Sequence, residues 1–301
     1  MNLASMARTA FGPTAWFVLL WSSGALFAKA GLASASPSVF LLLRFALAFA
    51  VLLVLARGRL LPARPLVPRT AATGALMIGG YSVLYLLALD AGITPGVLAT
   101  TLGVQPLLTL LWIERRLPLR RLAGLLLALA GLVLVVFDSL AVSRLPAVGM
   151  ACALACLACV TAGSILQKQL DQPPMQVLPL QYAVSLLLCS LLLPWQPWQV
   201  TWDARLAVCV LWLGLVISVA ATLLLYRLIQ TGDLVNVTSL FYLVPAGTAL
   251  LDWAVFGNTL APLAMAGMAA IVAGLVLVFR RGPVSASAAG PADRPAGSGA
   301  R

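Results

Sequence analysis

Three ionisable residues, Lys29, Arg44 and Asp252, stand inside stretches otherwise apolar enough to lie in a membrane. A charge in hydrocarbon is costly and persists where it binds, pairs or gates something. Arg44 is the deepest, about 10 Å from the start of its segment at 1.5 Å per residue. Two readings of it are open. It snorkels to the headgroups, with Asp90 or Asp252 as counter-ion, or it anchors an anionic substrate group and gates it. Lys29 is nearer a helix end, where snorkelling is easier. Asp252 reads as a partner for Arg44 or Lys29 rather than as a proton carrier. No carboxylate or histidine falls near mid-membrane, so the sequence supports no proton coupling.

Bond-breaking chemistry finds little to work with. The chain has no histidine, which excludes a Ser–His pair, a His-based zinc site and a His haem ligand. Cys152, Cys156 and Cys159 share a helix face by spacing, but lie with Cys189 and Cys209 in apolar runs, where small-residue packing is the simpler role. We expect neither enzyme activity nor a cofactor nor a metal.

Polar and aromatic residues near mid-helix are the better candidates to line a substrate path. They are Trp21, Ser22 and Ser23; Tyr81, Ser82 and Tyr85; Thr100, Thr101 and Gln105; and Thr161, Ser164, Gln181, Tyr182, Asn236, Ser239 and Tyr242. Serine and threonine also serve helix–helix packing in membranes. Gln105, Gln181 and Asn236 are harder to leave facing lipid, so lining or interhelical bonding is expected of them. Aromatic rings beside hydroxyls suit an amino acid, an amine or an amphipathic metabolite. Pro106 and Pro245 free mid-membrane carbonyls and are expected to be hinges.

The elements that position these residues are set by composition. The chain is 62% apolar and 9% charged over 301 residues, against about 25% charged in a soluble domain. A bilayer core needs about 20 apolar residues per helix, and ten such spans can be drawn: 14–32, 38–56, 71–90, 93–113, 119–138, 147–168, 176–194, 205–227, 234–256 and 259–279. Arg8, the first apolar run and Ala33-Ser34-Ala35 mimic a signal peptide, but span one has a partner in span six, so it is read as retained. Residues 1–13 form a cytoplasmic segment, and 280–301 a tail without a buriable face, expected to be disordered.

The net charge of +11 is a topology signal and needs no nucleic acid partner. With ten spans and the N-terminus inside, fifteen of the nineteen basic residues face the cytoplasm, as the positive-inside rule asks. Both termini are then expected to be cytoplasmic in a multi-pass membrane protein, with lipid and a small-molecule substrate as its expected partners.

Internal similarity divides the chain. Residues 123–135 and 266–278 share eight identities in thirteen positions, including Ala130-Gly131-Leu132-Val133-Leu134-Val135 against Ala273-Gly274-Leu275-Val276-Leu277-Val278. Gly24 to Lys29 answers Gly163 to Lys168, Arg44-Phe45-Ala46 answers Gln181-Tyr182-Ala183, and Pro106 answers Pro245. Two units are expected, 14–138 and 147–279, each of five spans. An odd number turns the second copy over. The fold class is therefore all-α, ten transmembrane helices as two inverted five-helix repeats. Transporters use this architecture because duplicated bundles can rock about a central site.

The chain resembles the EamA-type family of the drug/metabolite transporter superfamily. The resemblance rests on Trp21-Ser22-Ser23-Gly24 with Lys29, on Arg44-Phe45, on Pro106 and Pro245, and on the paired Ala-Gly motifs. It implies an inner-membrane carrier of amino acids or other small metabolites, often an exporter. Glu114 stands where such proteins often carry Glu before span five; Asn258 replaces it in the second half. A channel or structural membrane subunit is the alternative, and an intramembrane enzyme is a distant third.

Overall fold

The computed structural model describes residues 3–58, 61–114, 118–141, 145–170, 172–192, 194, 197–257 and 260–280, with backbone alone at 3–11, 25, 139, 252 and 256. The expected tail from residue 281 and Asn258 lie outside the described residues. Among those described, the chain is helical, with a single isolated bridge between Ala35 and Val200. The long helices are α1 (Leu3–Gly31), α2 (Pro37–Leu55), α3 (Arg64–Asp90), α4 (Pro95–Ile113), α5 (Leu119–Val135), α6 (Ala147–Gln169), α7 (Pro174–Leu192), α8 (Ala204–Thr231), α9 (Leu234–Val255) and α10 (Pro262–Phe279). Eight of them, all but α1 and α5, are long and apolar enough to cross a membrane.

Local chemistry sets their ends. Proline opens α2, α4 and α10, where its missing N–H costs nothing. Thr94, Asp203 and Asp233 cap α4, α8 and α9 by accepting backbone N–H groups. Gly257 ends the last helical run of α9 with φ 72°, a left-handed conformation that favours glycine.

Four helices are irregular. The helix of α4 breaks at Gly103–Val104, and α9 narrows to a 3-10 turn at Leu240–Tyr242. Both interruptions fall just before Pro106 and Pro245, whose rings cannot complete the hydrogen bond to the preceding turn. Helices α3 and α8 each widen into a π-helical stretch, Ala75–Gly80 and Trp212–Ala221, a distortion frequent at functional sites.

The core is apolar, yet the outer surface is apolar too and several polar side chains are buried. Ser22, Gln105, Gln181, Ser218 and Ser239 are buried, whereas Trp112, Leu119, Val148, Val255 and Val272 are exposed. Buried polar groups satisfied inside and apolar side chains outside are what a hydrocarbon solvent selects. This is a multi-pass membrane protein.

Helices α5 and α10 make the most extensive pairing. A Cβ on Gly131 would lie 2.6 Å from the Gly267 carbonyl oxygen, and one on Gly124 would lie 2.7 Å from that of Gly274. The reverse holds for Gly267 and Gly274. Backbones this close leave no room for any side chain, the small-residue logic of membrane helix packing.

Candidate functional site

Arg44 lies where α2, α3, α7 and α8 converge. Its Nε donates to Ser218 Oγ at 2.7 Å, and Phe45, Tyr81 and Tyr182 surround its guanidinium. Ser218 belongs to the π-helical stretch of α8, and the Tyr182 hydroxyl donates to the Ser218 carbonyl at 2.7 Å. Tyr81 begins the regular turn that follows the π-helical stretch of α3. Both distorted segments therefore flank the same cation. A cleft lined by Ser36, Val83, Leu86, Asp90 and Cys189 opens between α2, α3 and α7, and Cys189 is within electrostatic reach of Arg44.

The expected pairing of Arg44 with Asp90 is not formed: among the described residues both ion pairs belong to Arg121. The Asp252 side chain lies outside the described set. Lys29 is exposed near the end of α1.

Most of the polar candidates are spent between helices. Gln105 Nε2 donates to Ser164 Oγ at 3.1 Å. Gln181 donates to Gln167 at 2.9 Å and accepts from Tyr226 at 2.6 Å. Tyr242 donates to the Gly103 carbonyl at 2.6 Å, using the group exposed where α4 breaks. Ser22 donates to the Val244 carbonyl, and Ser23 to that of Leu20 while accepting from Trp212. Ser239 donates to the Asn236 carbonyl. Trp21 packs its ring against Phe17 and Phe241. Tyr81 and Tyr85 stand apart: their rings contact each other, and neither hydroxyl bonds to a described residue.

Asn236 is not at the centre but at one end of the bundle. There Arg121 pairs with Glu114 and with Asp233 at 2.5 Å, and donates to Asn236 at 2.9 Å. Glu114 closes α4, and Asp233 caps α9. Beside them Lys168 Nζ donates to the carbonyls of Ile229, Gln230 and Gly232 at 2.7, 2.9 and 2.8 Å. All three ammonium protons meet carbonyls at the end of α8, where the helix dipole favours a cation. At this end α6 packs on α8 and α9, and α4 on α9. Among the described residues no comparable packing joins α1 to α3 or α4 at the opposite end, nor the outer parts of α4 and α9. Among the described residues the first end is tied across by these contacts, and the other, the open end, lacks their counterparts.

At the open end a local clasp ties the α1–α2 turn to the strand-like segment before α8. Ser36 N donates to the Gln199 carbonyl at 2.8 Å, Thr201 N to that of Ser34 at 2.7 Å, and Ser34 Oγ to Asp203 at 2.9 Å. The Leu206 N–H and then the Ser34 hydroxyl hold the Asp203 carboxyl below its usual range. A lowered folded pKa stabilises above the ordinary carboxylate range and loses that contribution as pH falls through it. Corrected hydrogen exchange at the Ser36 and Thr201 amides should therefore stay flat from about pH 8 to about pH 5 and rise only in stronger acid. Asp203→Asn should exchange faster than the unaltered chain from about pH 8 to about pH 5, with the difference closing in stronger acid; a rise already near neutrality in the unaltered chain would contradict this assignment.

A family model described as the EamA-like transporter family matches residues 147–280. This stretch is thus similar to EamA-like transporter domains. The family is a branch of the drug/metabolite transporter superfamily. The EamA-like domain holds Lys168, Gln181, Tyr182, Ser218, Asp233 and Tyr242; Arg44, Tyr81 and Arg121 precede it. A solved structure described only as "Crystal structure of protein" shares the fold, with a TM-score of 0.74 over 90% of this chain and 97% of that one, at 22% identity. That likeness reaches well beyond the EamA-like domain into the first half of the chain. No curated protein matches the sequence.

Sequence reasoning counted Arg121 among the cytoplasmic basic residues, used Lys168 for topology and for the repeat, and passed over Ser218 and Asp233. Asp233 carried a readable signal, an acid directly after Thr231-Gly232 and before an apolar run. Ser218 carried none, being one hydroxyl in a long apolar stretch.

Proposed function

We propose that the chain is a carrier working by alternating access, an exporter of amino acids or similar small metabolites across a bacterial inner membrane. In this reading residues 14–138 and 147–279 are inverted five-helix units, with both termini and the Arg121 end in the cytoplasm. The observation that supports it is the one-sided docking of the two matched lysines. If the two units are copies, Lys29 answers Lys168, and Asp90, Ala91 and Ile93 answer Ile229, Gln230 and Gly232. Lys168 is docked on its carbonyls, while Lys29 is exposed at the open end. A two-state carrier would exchange these conditions, Lys29 docking at the end of α3 as Lys168 lets go. The reciprocal glycine contacts of α5 and α10 support the inverted relation, since Gly124–Gly274 maps onto Gly267–Gly131 when the copies are swapped. Pro106 and Pro245 then mark the flexing points, and the interhelical polar residues hold each bundle together as it moves.

Counterflow in proteoliposomes tests the carrier reading. A preloaded metabolite should drive transient uptake of its labelled form, which a channel does not produce. Topology is checked separately. Reporter fusions at residues 140 and 200 should both read as external, and a cytoplasmic signal at either would remove the inverted arrangement.

A further inference from the structure

We propose that Arg44 is the anion-binding pole of the transport site, and that the cargo carries a carboxylate monoanion with its body against Tyr81 and Tyr85. The inference rests on the carrier reading for its transport consequence, but the binding site stands on its own observations. Ser218 takes the guanidinium through Nε alone. The four N–H groups on the two Nη atoms have no partner among the described residues. A guanidinium held at Nε presents these as a planar fork, the geometry that accepts both oxygens of a carboxylate. Ser218 is itself fixed, because Tyr182 bonds its carbonyl, so the fork is aimed before any ligand arrives.

Charge selects the ligand class. The described acids Asp90, Asp138, Asp203, Asp233 and Glu114 all stand at helix ends or in the short segments between helices. A cationic cargo would find no described carboxylate beside Arg44 and would meet its repulsion. A phosphate dianion would leave one negative charge uncompensated beside a single cation, which low dielectric penalises. A monoanion matches. The Tyr81 and Tyr85 hydroxyls, free of described partners, supply donors and ring faces for the remainder of the molecule. An ammonium on the cargo is matched by no charge and is dispensable.

The test uses full-length protein purified in detergent and thermal-shift titration with phenylalanine, 3-phenylpropionate, phenylalanine amide and phenethylamine, and the corresponding leucine-derived set. The acids with and without the amino group should stabilise the protein alike, and the amides and amines should not. Arg44→Gln should weaken binding of the acids at least about tenfold, as loss of a charge-assisted pair implies. Equal binding of an amide or amine, retained acid binding in Arg44→Gln, or no binding by any acid would overturn the proposal. Should Arg44→Gln fail to fold, a cysteine at Val83 in a Cys189→Ala background, which removes the native thiol of the same cleft, gives the second measurement. An anionic thiosulfonate should label it faster than a cationic one, relative to their rates with free thiol, and the acids should protect it; the opposite preference or no protection overturns the proposal. Acid binding without counterflow would defeat the carrier reading and leave this site intact, whereas counterflow of amines or amides would do the reverse.

Discussion

Arg44→Ala is expected to abolish counterflow while the protein still inserts at normal abundance. The side chain is deep in α2 and bonds to α8 through one hydrogen bond, Nε to Ser218; its other contacts are ring faces. Removing it costs one charge-assisted bond, about 1.5–3 kcal/mol, which a bundle of this size tolerates. The buried Ser218 hydroxyl then loses its donor, since Tyr182 bonds only the Ser218 carbonyl, and that loss is part of the same modest cost. Arg44→Lys separates the two sequence readings. A snorkelling cation would work equally well as lysine, whereas a fork cannot be replaced by a point charge. We expect Arg44→Lys to lose about ten- to a hundredfold in transport at matched expression, in keeping with that same bond energy. Near-normal transport by Arg44→Ala would remove this residue from the site.

Gly131→Leu should have the largest effect on the fold. Its Cβ alone would lie 2.6 Å from the Gly267 carbonyl oxygen and 2.8 Å from Ile271 N, both backbone atoms that cannot rotate away. Overpacking a core typically costs about 1–3 kcal/mol, and a backbone clash exceeds that range. The expected outcome is loss of the monodisperse peak in detergent chromatography, or a melting temperature lowered by many degrees. Leu126→Ala is the control on the same helix, because that side chain is exposed to the lipid side, and it should change little. A Gly131→Leu protein as stable as that control would mean that α5 and α10 do not pair as described.

These two residues illustrate how far the sequence can be read. Gly131 was legible as part of a duplicated Ala-Gly motif, but its use in close packing against Gly267 comes from the structure alone. Arg44 was legible as a problem, since a lone cation in an apolar run demands an explanation, but its solution was not. Snorkelling and binding differ in which groups surround the guanidinium, and Ser218 lies 174 residues away with no pattern to announce it. The π-helical stretches of α3 and α8 were invisible for a related reason. Apolar residues crowd those segments on every side, so periodicity cannot register one extra residue per turn.

Gln181 and Asn236 mark another limit. Composition says that a buried amide must find a partner, and both do, but whether that partner is cargo or another helix depends on the packing of distant segments. Gln181 bonds Gln167 and Tyr226, and Asn236 joins Arg121. The basic residues were read through the positive-inside rule, which counts charges by side and is silent about contacts. Arg121 and Lys168 were therefore assigned to one side, and they do lie at the same end, but the contacts they make there were not read.

The claim that the two ends open in alternation is tested most directly by distances between paired spin labels. One pair, at Gln169 and Thr231, spans the closed end; the other, at Leu32 and Asp90, spans the open end, and all four positions are exposed. Lys168→Ala removes the three carbonyl contacts that hold α6 to the end of α8. In that background the account predicts that a population appears in which the first distance lengthens and the second shortens together. Lengthening of the first with no change in the second, or two unmoved distances, would contradict it.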